Sequence, residues 1–179
     1  DKKSVEAFPQ RVHKETDAYY FRMRIENKGN VKAENVEVFA SRLLVKSADG
    51  SSKQVKAFLP MNLNWSHHAS TTFLPAISPG TYKHCDLAHI INPNNRSEFS
   101  NEDKNGTDVD AKKTLLSFDT VVKAYTKNHL VDPGTYYLDI TVAASNTQPV
   151  TKTLEITLKG EWFDDEQKML TGGIGIKIL

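Results

Sequence analysis

At 179 residues the chain fits one domain and is long enough to bury a substantial core. Its formal charge of +1 sets up no global field that would draw in nucleic acid or an anionic membrane. The single cysteine, Cys85, excludes an internal disulfide, and no apolar run reaches the roughly 18–20 residues that a membrane helix needs.

The opening DKKSVEAFPQ has neither an initiator Met nor a signal-peptide apolar core, so any anchor or leader is expected upstream of Asp1. Val5 to Val12 reads as one strand. Pro9 removes a ladder donor and assigns it to an edge. Ala18 to Val45 organises the rest. Tyr19, Phe21, Met23 and Ile25 alternate with Tyr20, Arg22, Arg24 and Glu26, the period of two that puts one set inside and the other outside. Asn27, Lys28, Gly29 and Asn30 supply residues that tolerate positive φ in a tight connection. Val36 and Val38 resume the alternation, and the apolar set then changes parity to Phe39, Leu43 and Val45. A bulge near Ala40–Ser41 is one explanation, cover on both faces the other.

Asp49-Gly50 marks a hairpin turn, and Val55–Leu59 and Thr71–Ile77 read as short strands. In Thr81–Ile91 the set Cys85, Leu87, His89 and Ile91 is expected inward, with Tyr82, His84, Asp86, Ala88 and Ile90 opposite. The polar stretch 92–113 breaks the rhythm. With little apolar surface to offset ordering, it is expected to be a mobile insertion. Leu116, Phe118, Val122 and Ala124 mark the next strand. Tyr136, Leu138, Ile140 and Val142 alternate inward, as do Leu154, Ile156 and Leu158, and the two runs read as a hairpin. WFDDEQKML suits one or two helical turns capped by Asp164, before a last strand at Ile174, Ile176 and Ile178. Seven to nine short strands with turns between them predict a single all-β domain over 1–179, an antiparallel sandwich with a long polar insertion.

IENKGNVKAENVEVF resembles the opening of bacterial immunoglobulin-like modules of the adhesion-related CARDB type, with Asn27, Gly29, Ala33, Val36 and Val38 at the matching positions. PGTYYLDITV resembles the Pro-Gly-x-Tyr strand entry of the same class. These motifs imply an immunoglobulin-like sandwich. The whole layout, with LNWSHH, PGTYKHCDL, VAASN and GEWFDDEQKML, is similar to prokaryotic proteins that carry this domain beside N-terminal membrane segments, which implies a soluble domain of a membrane-tethered envelope protein. It implies no cofactor and no chemistry.

Candidate sites are few. Asn101, Asp103, Asn105, Gly106, Asp108 and Asp110 approach the opening of a calcium loop, whose alternate oxygens converge on the ion. Lys112 stands where the bidentate Glu belongs, so a solvated acidic loop is the expected reading and calcium or small-ligand binding the alternative. His67, His68, His84, Asp86 and His89 suggest a metal, but strict alternation sends His84 and His89 to opposite faces. Cys85, in an apolar set, is expected to be inert. No nucleophile–base motif is visible, so no enzyme is expected. Trp162, Phe163, Asp164 and Asp165, with Glu161 and Glu166, read either as an acidic-aromatic contact for a basic partner or as a helix cap. The expected role is therefore a non-catalytic module that binds another, unidentified protein. No nucleic acid is expected, and membrane contact is expected only through a tether.

Overall fold

The computed structural model describes residues 5–12, 18–98 and 112–179; for 5–12 and 96–98 this is the backbone alone. It is an antiparallel all-β sandwich. Strands β1 (Val5–Val12), β2 (Ala18–Glu26), β3 (Ala33–Lys46), β4 (Ser52–Gln54), β5 (Met61–Asn62) and β6 (Leu74–Ile77) form the first half of the chain. Strands β7 (Tyr82–Ile91), β8 (Leu116–Phe118), β9 (Leu130–Val131), β10 (Gly134–Ala144), β11 (Thr147–Leu158) and β12 (Ile174–Ile178) follow. One sheet runs β1-β2-β7-β8-β9. The other runs β12-β11-β10-β3-β4, with β5 and β6 also paired to β3. Twelve strands among the described residues exceed the seven to nine expected; β4, β5 and β9 have only two or three residues each and leave no readable period.

The core forms where the inward sets of the two sheets meet. Tyr19, Phe21, Met23 and Ile25 of β2 face Val36, Val38, Leu43, Leu138, Ile140, Leu154 and Ile156 of the opposite sheet, all buried. The β10–β11 hairpin pairs as expected, Tyr136 opposite Ile156 and Leu138 opposite Leu154, and turns through Ser145 and Asn146. The bulge near Ala40–Ser41 is present. Ile140 pairs with Ala40 and Asp139 with Arg42, so Ser41 is the extra residue and the inward set passes from Val36, Val38 and Ala40 to Leu43.

The β2–β3 connection differs from a simple tight turn. β2 and β3 lie in different sheets, so 27–32 carries the chain across the sandwich. None of residues 27–30 takes a positive φ; Asn35 does, at 49°. The turn is organised by the buried Asn27 side chain. Its Oδ1 accepts from Gly29 N at 3.0 Å, and its Nδ2 donates to Val31 O at 2.8 Å and Ile77 O at 2.9 Å. An Asx turn of this kind substitutes a side chain for the missing ladder.

Three further expectations shift. Val55–Leu59 is not a strand; it leaves β4 as a turn that buries Phe58, with Ala57 at φ 56°. β8 stops at Phe118, and Val122 stands 74% exposed on the loop that follows. In β7 an extra residue, Leu87, sits between the Phe21–Ala88 and Arg22–Asp86 pairs. That bulge reverses the parity of the strand's second half. Ala88 and Ile90 turn inward with Cys85, and His89 joins His84 and Asp86 on the outer face.

Met61–Ser66 passes from one sheet to the other. β5 pairs with β3, and Leu63 N donates to Val38 O at 2.8 Å. Asn64 N then donates to Asp119 O at 2.8 Å and Ser66 N to His84 O at 2.9 Å, with Trp65 bridged to Cys85. Among the described residues no helix is long and apolar enough to cross a membrane.

Candidate functional site

The residues singled out in GEWFDDEQKML form a braced wall at one end of the sandwich. Tyr19, fully buried at the start of β2, donates its hydroxyl to Phe163 O at 3.0 Å and is also 3.1 Å from Asp164 O. Its ring lies 5.1 Å from that of Trp162, centroid to centroid, at 47°. Both Trp162 and Phe163 are half-buried and pack against the core. The cap falls one residue later than expected. Asp165, not Asp164, accepts from Lys168 N at 2.8 Å and starts the single helical turn Glu166–Lys168, which widens into a π turn over Met169–Gly173. Asp164 Oδ1 instead accepts from Trp162 Nε1 at 2.9 Å and fixes the indole. Two adjacent aspartates offer equivalent caps in sequence, and the indole decides between them.

The wall opens onto a cavity of about 600 Å³ lined by both ends of the 92–113 stretch, Asn92–Asn94 and Lys112–Lys113, together with Lys159–Phe163. Thr114 N donates to Gly160 O at 2.9 Å and locks the returning end in place. Gly160 has φ +87°, and a Cβ there would lie 2.8 Å from Pro133 Cγ. Gly160→Ala should therefore cost about 1–3 kcal/mol, the scale of a left-handed non-glycine residue. Urea unfolding checks this. A midpoint unchanged from the parent would show that the turn is not held as described.

The insertion is not wholly irregular, since Pro93–Glu98 forms a 3₁₀ turn. The calcium-loop residues Asn101, Asp103, Asn105, Gly106, Asp108 and Asp110 lie outside the described residues, as does most of the stretch expected to be mobile.

A second group of interest, which strict alternation dispersed, gathers on the outer face of the five-stranded sheet. Asp86 Oδ1 accepts from Arg22 Nε at 2.7 Å and Ser66 Oγ at 2.6 Å, and His89 Nδ1 meets Asp119 Oδ1 at 2.8 Å. Tyr20 stacks on His89 with ring centroids 5.1 Å apart, while Tyr82 meets His84 edge-on at 5.3 Å. Ser117 is paired opposite His89, yet its buried Oγ has no hydrogen-bond partner, so the three polar residues Ser117, His89 and Asp119 do not assemble as nucleophile and base. Asp86, on the same face as His84, is engaged by Arg22 and Ser66. Among the described residues no three His, Cys, Asp or Glu side chains converge as a ligand set. Cys85 is fully buried; that burial, and then the carboxylates Asp86 and Asp119, push its thiol well above the usual range.

Sequence reasoning did not anticipate a third feature. The exposed apolar side chains Leu59, Val122 and Tyr125 line a groove of about 440 Å³ with Met61 at its floor. Only the failure of the Leu116–Ala124 strand exposes Val122, and a local pattern carries no signal for that.

No protein-family model matches the chain, and no curated protein matches it. Among solved structures, one titled as the X-ray structure of Northeast Structural Genomics Consortium target SoR45 is similar at 15% identity with a TM-score of 0.31, over 92% of this chain and 90% of that one.

Proposed function

We propose that this chain is a non-catalytic protein-interaction module of a membrane-tethered protein in the cell envelope, and that the Trp162 wall with the 92–113 stretch is its contact surface. One observation carries this reading. Two segments distant in sequence, the ends of a long polar insertion and an aromatic wall, line the same cavity on a rigid sandwich. Loops anchored on a rigid scaffold are where recognition concentrates, and a half-buried Trp with a fixed indole is the kind of side chain that dominates interface energies.

The test is crosslinking in cells that express the natural full-length protein. A partner should be captured through residues near Trp162. Replacing 94–112 with a short Gly-Ser linker should reduce that capture several-fold, the melting temperature staying within the range of surface changes. Capture unaffected by the replacement would place the contact elsewhere. Turnover of a small molecule, lost on one His or Asp substitution that leaves stability intact, would replace the reading with an enzyme.

A further inference from the structure

We infer that β12 is an edge for self-association: two copies of this chain pair their β12 strands antiparallel about a two-fold axis at Ile176, joining their larger sheets into one. This goes beyond the interaction reading above and does not use the Trp162 surface. β12 closes one end of the larger sheet and, among the described strands, pairs with β11 alone. β1, at the edge of the other sheet, lies close to it without pairing. The strands at the other ends of the two sheets are poor templates. β1 contains Pro9, β4 has three residues and β9 has two. β12 has five residues, no proline and a single charge, Lys177.

Two hydrogen bonds fix the phase of its ladder. Lys159 N donates to Gly173 O at 2.9 Å and Leu179 N to Thr153 O at 3.0 Å. In the β11–β12 register, residues 173, 175, 177 and 179 therefore direct their backbone groups toward β11. Those of Ile174, Ile176 and Ile178 point away from it, and Ile174 N is taken by Met169 O. This edge is complementary to itself in one register. With Ile176 opposite the partner's Ile176, each donates to the other, and on either side Ile178 N donates to the partner's Ile174 O. Gly175 then falls opposite the partner's Lys177 in a non-hydrogen-bonded pair, where side chains lie closest. A Cβ on Gly175 would meet nothing within 4 Å, so the lysine stem has room. On the inner face exposure rises along the strand, from Ile174 at 3% to Ile178 at 38%. Antiparallel pairing sets the exposed end of each row against the buried end of the other. Centring on Lys177 would place two lysines directly opposite, which is destabilising. Centring on Gly175 would send Ile178 against the turn at Gly172 instead of a strand.

Sedimentation equilibrium of the chain over a wide range of concentration tests this, and a dimer should build up as concentration rises. Gly175→Lys should weaken self-association and Gly175→Glu strengthen it, each about two- to tenfold, because a like or opposite charge then faces Lys177 twice per dimer. Both effects should shrink as salt rises. A side chain at this position meets open space, so the fold accepts either variant. Ile176→Pro removes the donor at the axis and none that β11 uses, and should abolish the dimer. Melting temperature, measured alongside, separates lost pairing from lost folding. A chain that stays monomeric up to about 1 mM, or that assembles past a dimer, overturns the inference. So do two Gly175 variants that act alike or not at all, or a folded Ile176→Pro that associates as the parent does.

Discussion

Replacing Leu138 or Ile140 by alanine should cost about 2–5 kcal/mol of folding stability. Both side chains are fully buried in β10, which is hydrogen-bonded to β3 on one side and β11 on the other. A strand pinned on both sides cannot move inward to fill the space left by the lost methyl groups. The cavity therefore persists, and its cost adds to the lost transfer free energy. Glu155 on the neighbouring β11 belongs to the outward set, and Glu155→Ala should stay within about 0.5 kcal/mol. Urea denaturation with an unchanged slope separates the two classes. A Leu138→Ala loss as small as that of Glu155→Ala would mean the two sheets do not meet at this position.

The second large effect is expected at Asn27. Its side chain makes three hydrogen bonds, to Gly29 N, Val31 O and Ile77 O, and its backbone adds two more, to Thr81 O at 3.0 Å and from Gly80 N at 2.8 Å. The residue is 5% exposed, so Asn27→Ala leaves Ile77 O, whose bond to Nδ2 is itself buried, without that donor. The loss should be about 2–4 kcal/mol, mostly the penalty for buried groups left unpaired. Asn27→Asp keeps the acceptor for Gly29 N but turns a carboxylate toward two carbonyl oxygens, and should cost at least as much. If both variants melt with the parent, the crossing between the sheets is held by something other than this side chain.

The sequence is informative where period and pairing are local. Alternation in β10 and β11 places every inward residue of the hairpin correctly. Of the two explanations for the parity change, the bulge holds, at Ser41. Ala40, however, continues the inward set of Val36 and Val38, so Phe39, expected inward with Leu43, lies on the other face. It is silent where two apolar residues adjoin. Leu87-Ala88 hides the β7 bulge because either could face inward, and the error propagates to His89, which is placed on the wrong face. Alternation is also the same for a hairpin and for two strands that part to different sheets, so the separation of β2 from β3 is invisible at that level. Of the candidate site, Trp162 and Phe163 are legible as aromatic anchors. The cavity itself is assembled from positions near 92, 112 and 160, which only the fold brings together.

The Met61–Ser66 crossing has a mechanical consequence. Where two sheets touch only through apolar side chains, they can slide past one another without breaking a directional bond. Here one continuous run of backbone is hydrogen-bonded to Val38 in one sheet and to the strands around His84 and Asp119 in the other. Any sliding displacement must stretch that seam lengthwise. Force entering through one sheet should therefore be passed to the other along this run of backbone.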